Sequence, residues 1–118
     1  MKEGEDMSVA KDKRDSGQLE VNTKARGACT YILKITGNEK HFPPSQRDII
    51  DRFRKLAIDI DLDCWDANET KVTNLNDYQH RLDLQQRAAE ECTDMLELAN
   101  IMKPLVHMDS KRYWYIIN

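Results

Sequence analysis

The feature that most constrains the fold is a long run of apolar residues at helical spacing. Between residues 46 and 68, apolar side chains recur every three or four positions: Ile49, Phe53, Leu56, Ala57, Ile60, Cys64 and Ala67. A β-strand would alternate apolar and polar residues instead, and the run is long enough for about six helical turns. The sequence therefore predicts an amphipathic helix over 46–68, with Phe53 in its apolar face and Asn68 as its terminator.

The residues before this helix predict how it begins. Two prolines stop the preceding chain, and Ser45 then stands where an N-cap is expected, with Asp48 three residues later in a capping-box arrangement. Phe42 precedes the cap, so we expect it to pack near the first turn as a hydrophobic staple.

A second stripe of helical spacing follows a short polar connection. It has steps of four and three residues, as in a heptad repeat: Tyr78, Leu82, Gln85, Ala89, Cys92, Leu96 and Ala99. Thr73 or Asn74 is a suitable N-cap, and Pro104 should end the helix near residue 102. Gln85 is thus predicted to lie in the packing face of a helix that reaches about residue 102.

The ends of the chain carry weaker signals. A loose apolar stripe over about 20–36, followed by Gly37, predicts a first helix, and Asp109 or Ser110 can cap a short last one containing Trp114. That aromatic segment needs cover, either from this chain or from another. Residues 1–20 are polar and of mixed charge, which predicts a disordered tail. The expected fold is an all-α, up-down antiparallel bundle over 21–118, with three clear helices and a short or truncated fourth.

Composition limits the class of protein. The chain has 118 residues, enough for one domain, and its four glycines and three prolines are few for an all-β fold. A formal net charge of -3 counts against a surface devoted to nucleic acid. Three widely spaced cysteines predict reduced thiols in a cytoplasmic protein. No apolar run approaches the roughly 18 residues of a membrane span, and the N-terminal residues lack the apolar core of a secretory signal.

No set of residues has the spacing of a catalytic or metal site. Four aspartates lie close together: Asp59, Asp61, Asp63 and Asp66. A calcium loop that begins there would need glycine where Cys64 stands and glutamate where Thr70 stands. We therefore expect these four carboxylates to be exposed. The three histidines lack zinc-ligand spacing. Cys64 and Cys92 lie on the apolar stripes and are interpreted as small buried residues. We therefore predict a protein that is not an enzyme, with no cofactor, metal or small-molecule substrate.

Basic residues on the two long helices leave two interpretations open. The candidates for contact with nucleic acid or a partner are Arg47, Arg54, Lys55, Arg81 and Arg87. They could form a strip that binds phosphates. Alternatively, they belong to ordinary charged outer faces, in which acids three or four residues away balance them.

Several landmarks occur together and in order along residues 28–115. The predicted helix over 46–68 opens with Phe42, Pro43, Ser45 and Arg47 and closes with Ala67 and Asn68. The predicted helix that ends near residue 102 carries an Arg-x-x-x-Gln-x-x-Ala pattern, made of Arg81, Gln85 and Ala88. This arrangement resembles the bacterial four-helix-bundle family of the 23S ribosomal RNA intervening-sequence protein and the accessory variability determinant of diversity-generating retroelements. The resemblance implies an up-down bundle without enzymatic activity. In the retroelement branch it further implies a ring-forming partner of a reverse transcriptase that holds template RNA.

Two functions are therefore expected. The first is a non-catalytic assembly or scaffold protein that self-associates and binds a reverse transcriptase and nucleic acid. The second is a protein-protein interaction module of phage or mobile-element origin with no nucleic-acid role. Because a cation in the first turn of a helix is disfavoured by the helix dipole, Arg47 is expected to have a partner: an acidic side chain, another subunit or a phosphate. We favour a contact with another subunit or with nucleic acid.

Overall fold

The computed structural model describes residues 20–106, which form three α-helices and no strand. Helix α1 covers 20–36, α2 covers Arg47–Glu69 and α3 covers Leu75–Met102. The all-α class and the three clear helices are confirmed, each boundary lying within three residues of the predicted one. The expected N-terminal tail, the fourth helix and Trp114 lie outside the described residues.

The start of α2 differs from the prediction. Pro44–Gln46 form a short 3-10 turn, and α2 begins after it with Gln46 at the cap position and no capping hydrogen bond from a side chain. The physical reason is that Pro43 is extended and Pro44 has the fixed φ suited to the first position of a helical turn, so the chain starts to coil two residues early. Ser45 therefore lies inside the turn, exposed, and the predicted capping box is wrong.

The start and end of α3 follow the sequence closely. The Asn74 side-chain oxygen accepts a hydrogen bond from the backbone N–H of Asp77 at 2.9 Å, as an N-cap should. Hydrogen bonds from the side chain and backbone of Thr73 lower the pKa of Asp77. At the other end α3 stops at Met102, two residues before Pro104.

One end of the molecule has an apolar core, here called the closed end. It joins the last turns of α1 and α3 to the first half of α2, so α2 runs antiparallel to both. Its buried members are Cys29, Ile32, Phe42, Ile50, Phe53, Ala57, Ala99, Met102 and Val106. Phe53 has no exposed surface, and Phe42 is held by a 2.8 Å hydrogen bond from its backbone N–H to the carbonyl of Asn38.

The other end, here called the open end, joins the C-terminal half of α2 to the N-terminal half of α3. Its buried residues include small and polar ones: Asn22, Asp63, Ala67, Arg81, Leu84 and Ala88. Burial of Asp63 contradicts the expectation that the carboxylates of α2 are exposed. The position follows Ile60 by three residues and thus lies on the packing face of α2.

The buried face of α3 is also rotated from the predicted one. Arg81, Leu84 and Ala88 pack inward, whereas Tyr78, Leu82 and Leu96 of the predicted stripe remain 49%, 37% and 42% exposed. Gln85 and Ala89 are exposed as well, and only Ala99 of the stripe is fully buried. The apolar arc of α3 is wider than α2 alone can cover, so one flank packs and the other stays open. On α2, Ile50 is buried, and Ile49 is partly buried against the same core.

Across the described residues, none of the helices combines the length and apolar content that crossing a membrane requires.

Candidate functional site

The exposed flank of α3 forms one wall of a groove whose other wall is α1. The upper section, near the closed end, has a volume of about 860 Å³ and is bounded by Val21, Ala28, Cys64, Cys92 and Leu96, among others. The lower section, near the open end, has a volume of about 640 Å³. Val21 and Cys64 border both sections, so the two form one continuous apolar groove.

The lower section contains several residues singled out in the sequence. Asn68 and Gln85 line it beside Tyr78 and Leu82, and Arg81 lies at its base. The predicted role of the heptad-like stripe is therefore wrong for most of its residues. Five of them line the groove: Tyr78, Leu82, Gln85, Cys92 and Leu96. Ala99 does pack in the core, at the closed end. Apolar side chains on a concave surface are typical of sites that bind another molecule.

Exposed apolar residues also occur on the outer face of α2. Ile58, Leu62 and Trp65 are each more than a third exposed and are spaced by four and three residues. The guanidinium of Arg26 lies over the Trp65 ring, 5.7 Å from its centre, and partly covers it. Because the groove is concave and larger in apolar extent, it is the stronger candidate for a binding site.

A group of charged side chains connects α2 and α3 between the two ends. Asp63 is 8% exposed, and its Oδ1 lies 3.9 Å from Nη1 of Arg87. Its other oxygen, Oδ2, accepts no hydrogen bond from residues 20–106. Burial, together with the nearby negative charge of Asp63, raises the pKa of the half-buried Glu91 to about 7. Near neutral pH, a large fraction of Glu91 is therefore protonated.

The thiols that border the groove are not activated nucleophiles. Cys92 is exposed, contrary to the expected burial, because its stripe faces the groove, and Cys64 is half-buried. Partial burial of the sulfur nevertheless raises the pKa of both thiols, so thiolate is scarce at neutral pH. The fully packed Cys29 also has a raised pKa through burial.

Most of the basic residues predicted to contact nucleic acid or a partner instead make contacts within their own chain. Arg54 donates to the carbonyl of Leu33 at 2.9 Å and to the hydroxyl of Thr36 at 2.6 Å, which fixes α1 to α2. Lys55 pairs with Asp59 at 2.6 Å, and this hydrogen bond raises the pKa of Lys55. Arg87 lies near Asp63, as described above, and Arg81 is buried.

Arg47 is placed differently from the other four. It is exposed at the first position of α2 and lines a shallow depression of about 280 Å³. Glu39 and Asp51 line the same depression with Arg54. The local charge is therefore mixed, which does not favour a polyanion by itself.

Among the described residues, no group of three or more histidine, cysteine, aspartate or glutamate side chains is arranged to hold a metal ion. The chain matches no protein-family model, no curated protein and no solved structure.

Proposed function

We propose that the protein is a non-catalytic helical scaffold that self-associates through the lower section of the groove. The observation that carries this proposal is the exposed apolar flank of α3, where Tyr78 and Leu82 face the lower section of the groove. Burying such side chains between two chains stabilises association by about 25 cal/mol per Å² of apolar surface, less the cost of losing rotational and translational freedom.

The contacts of the candidate cations on α2 and α3 agree with a protein partner rather than a polyanion. Lys55 and Arg87 already lie beside carboxylates, and Arg81 is buried. Moving Lys55 or Arg87 to a phosphate would leave Asp59 or Asp63 without its cation. The resemblance to the four-helix-bundle family supports self-association as well, and a reverse transcriptase remains a proposed further partner of the assembled form.

The test is sedimentation velocity over a range of protein concentrations, with a matched pair of variants. Leu82→Glu places a charge inside the lower section, whereas Ile101→Glu places the same charge on an exposed site of α3 that does not border the groove. We expect the wild-type chain and Ile101→Glu to associate and Leu82→Glu to remain monomeric. A wild-type chain that is monomeric at all concentrations, or equal association of both variants, would reject the proposal.

A second candidate function is nucleic-acid binding by the assembled protein, and the exposed position of Arg47 favours it. The helix dipole disfavours a cation there, and an external phosphate would offset that cost. RNA retention on a filter would be compared for Arg47→Ala and for Arg52→Ala, an exposed arginine of the same helix. The hypothesis expects a selective loss for Arg47→Ala and weaker binding at higher salt. Equal retention by both variants would contradict it.

A further inference from the structure

The outer face of α2 carries an apolar ridge, here called the α2 ridge, that is separate from the groove. It consists of Ile58, Leu62 and Trp65, which follow one another at steps of four and three residues and so form one line along the helix. Their exposed fractions are 39%, 51% and 43%, and none of them borders either section of the groove. Large apolar side chains in such a line are typical of a helix surface that packs against another helix.

The surroundings of the α2 ridge are acidic. Residues 56–70 contain five carboxylates and no lysine, arginine or histidine. Of these five, Asp63 is buried between α2 and α3, and Asp59 accepts a hydrogen bond from Lys55. The other three each lie about one helical turn from a ridge residue: Asp61, Asp66 and Glu69. Three carboxylates therefore accompany the three apolar side chains of the ridge.

Two of these carboxylates stand at an unfavourable end of the helix. Glu69 is the last residue of α2, and the last turn of α2 contains no basic residue. Because the C-terminal end of a helix carries a partial negative charge, carboxylates are disfavoured there and cations are favoured. Asp66 and Glu69 also repel each other, since they are spaced by three residues. A cationic group beside them would offset both effects.

One cation of the chain already lies beside the ridge. The guanidinium of Arg26 reaches from α1 over the Trp65 ring, 5.7 Å from its centre. The ridge thus accepts a cation on its aromatic member, as the negative face of an indole ring favours. One positive charge does not balance three carboxylates, so the surface around the ridge stays negative.

From these observations, we infer that the α2 ridge is a docking site for a basic amphipathic helix of another protein. Such a helix presents apolar side chains at spacings of three and four residues, which fit between those of the ridge, and its lysines or arginines lie opposite the carboxylates. RNA and anionic membranes carry the wrong charge for this surface. Two copies of the ridge would bring like charges together. The inference does not rest on the proposed self-association, which uses the groove.

The test measures fluorescence anisotropy of labelled synthetic peptides titrated with the full-length protein. The probe is a peptide of leucine and lysine in which leucine recurs at helical spacing. A control peptide of the same composition alternates leucine and lysine, as a strand would. We expect the helical-period peptide to bind, with lower affinity at higher salt, and the alternating peptide to bind at least roughly tenfold more weakly.

One matched pair of variants tests the apolar part of the site. Leu62→Asn should weaken binding of the helical-period peptide roughly tenfold, because a buried leucine contact is lost. Ile101→Asn changes an apolar residue of α3 that is 44% exposed and lies outside the ridge, and it should leave binding unchanged. In sedimentation velocity, Leu62→Asn should associate like the wild-type chain, so failure of this inference is distinguishable from failure of the proposed function.

A second matched pair tests the charges. Asp66→Asn combined with Glu69→Gln should weaken binding of the helical-period peptide roughly fivefold at low salt. Asp94→Asn combined with Glu97→Gln removes the same charge, at the same spacing, from exposed sites of α3. We expect this control to bind nearly as well as the wild-type chain.

Each outcome decides the inference. Selective losses for Leu62→Asn and for the double variant of α2 support it. Equal weakening by both double variants would show a general attraction between an acidic protein and a cationic peptide. Equal binding of the two peptides would show that helical spacing plays no part, and absence of binding would show that the ridge is covered by a second copy or by the chain itself, or that it docks no basic helix. Any of these three results overturns the inference.

Discussion

The closed and open ends are built from the same two long helices, yet they bury different kinds of side chain. At the closed end Phe53, Met102 and Ile32 are buried almost completely among other apolar groups. At the open end the space between α2 and α3 is occupied by Asp63, Arg81, Leu84 and small residues. Apolar burial is the main source of stability, so the closed end holds the fold. The open end keeps Tyr78 and Leu82 on the groove, where they are available for binding.

The largest expected effect separates the two ends directly. Phe53→Ala should lower the free energy of unfolding by about 3–5 kcal/mol, because it removes a fully buried ring and leaves a cavity. Leu84→Ala, at a buried site of the open end, should cost about 2 kcal/mol, near the lower limit for such changes, because the open groove lets neighbouring groups relax. Urea denaturation measures both. Equal losses of unfolding free energy for Phe53→Ala and Leu84→Ala would contradict the stated difference between the closed and open ends.

A smaller effect is expected where α1 is fixed to α2. Arg54→Ala removes the hydrogen bonds to Leu33 and Thr36 and should destabilise the chain by about 1–2 kcal/mol, the usual range for a charged donor. Arg52→Ala, at an exposed site of the same helix, should change stability by less than about 0.5 kcal/mol. Thermal unfolding of the two variants compares them. If Arg54→Ala is as stable as Arg52→Ala, the structural role given to Arg54 is wrong.

The starts of α2 and α3 provide a matched pair of predicted N-cap residues, Ser45 and Asn74. Asn74→Ala should cost about 1 kcal/mol because the amide oxygen caps α3. Ser45→Ala should be nearly neutral, since Ser45 is exposed in the turn that precedes α2. Chemical denaturation of both variants is the measurement. A cost for Ser45→Ala equal to that of Asn74→Ala would restore the capping box that the structure replaces.

The smallest effect depends on pH. The pKa of Glu91 is raised from 4.5 to about 7 in the folded chain, so folding favours its protonated form, and this group's contribution to stability is lost as pH rises across that window. Glu91→Gln should therefore increase stability at pH 8, by up to about 1 kcal/mol, and change it little at pH 4. Glu90→Gln, on the exposed side of α3, is the control. A gain that does not vary with pH would contradict the raised pKa of Glu91.

Helix positions could be predicted from the sequence because periodicity and end signals are local. Asn74 and Pro104 marked the limits of α3 correctly, and Phe53 lies in the face that its spacing indicated. The rotation of α3 could not be predicted, since Leu82 and Leu84 are equally apolar and only packing against α2 decides between them. Burial of Asp63 and Arg81 has the same origin. The groove could not be predicted, because it depends on how α1 lies beside the exposed flank of α3.

The most direct test of the account is hydrogen exchange of backbone amides, measured residue by residue at low and high protein concentration. The account predicts slow exchange around Phe53 and Met102 at every concentration, and protection around Tyr78 and Leu82 that increases as the concentration is raised. Protection around Tyr78 and Leu82 that does not depend on concentration would contradict the claim that the closed end holds the fold while the open groove binds a second copy.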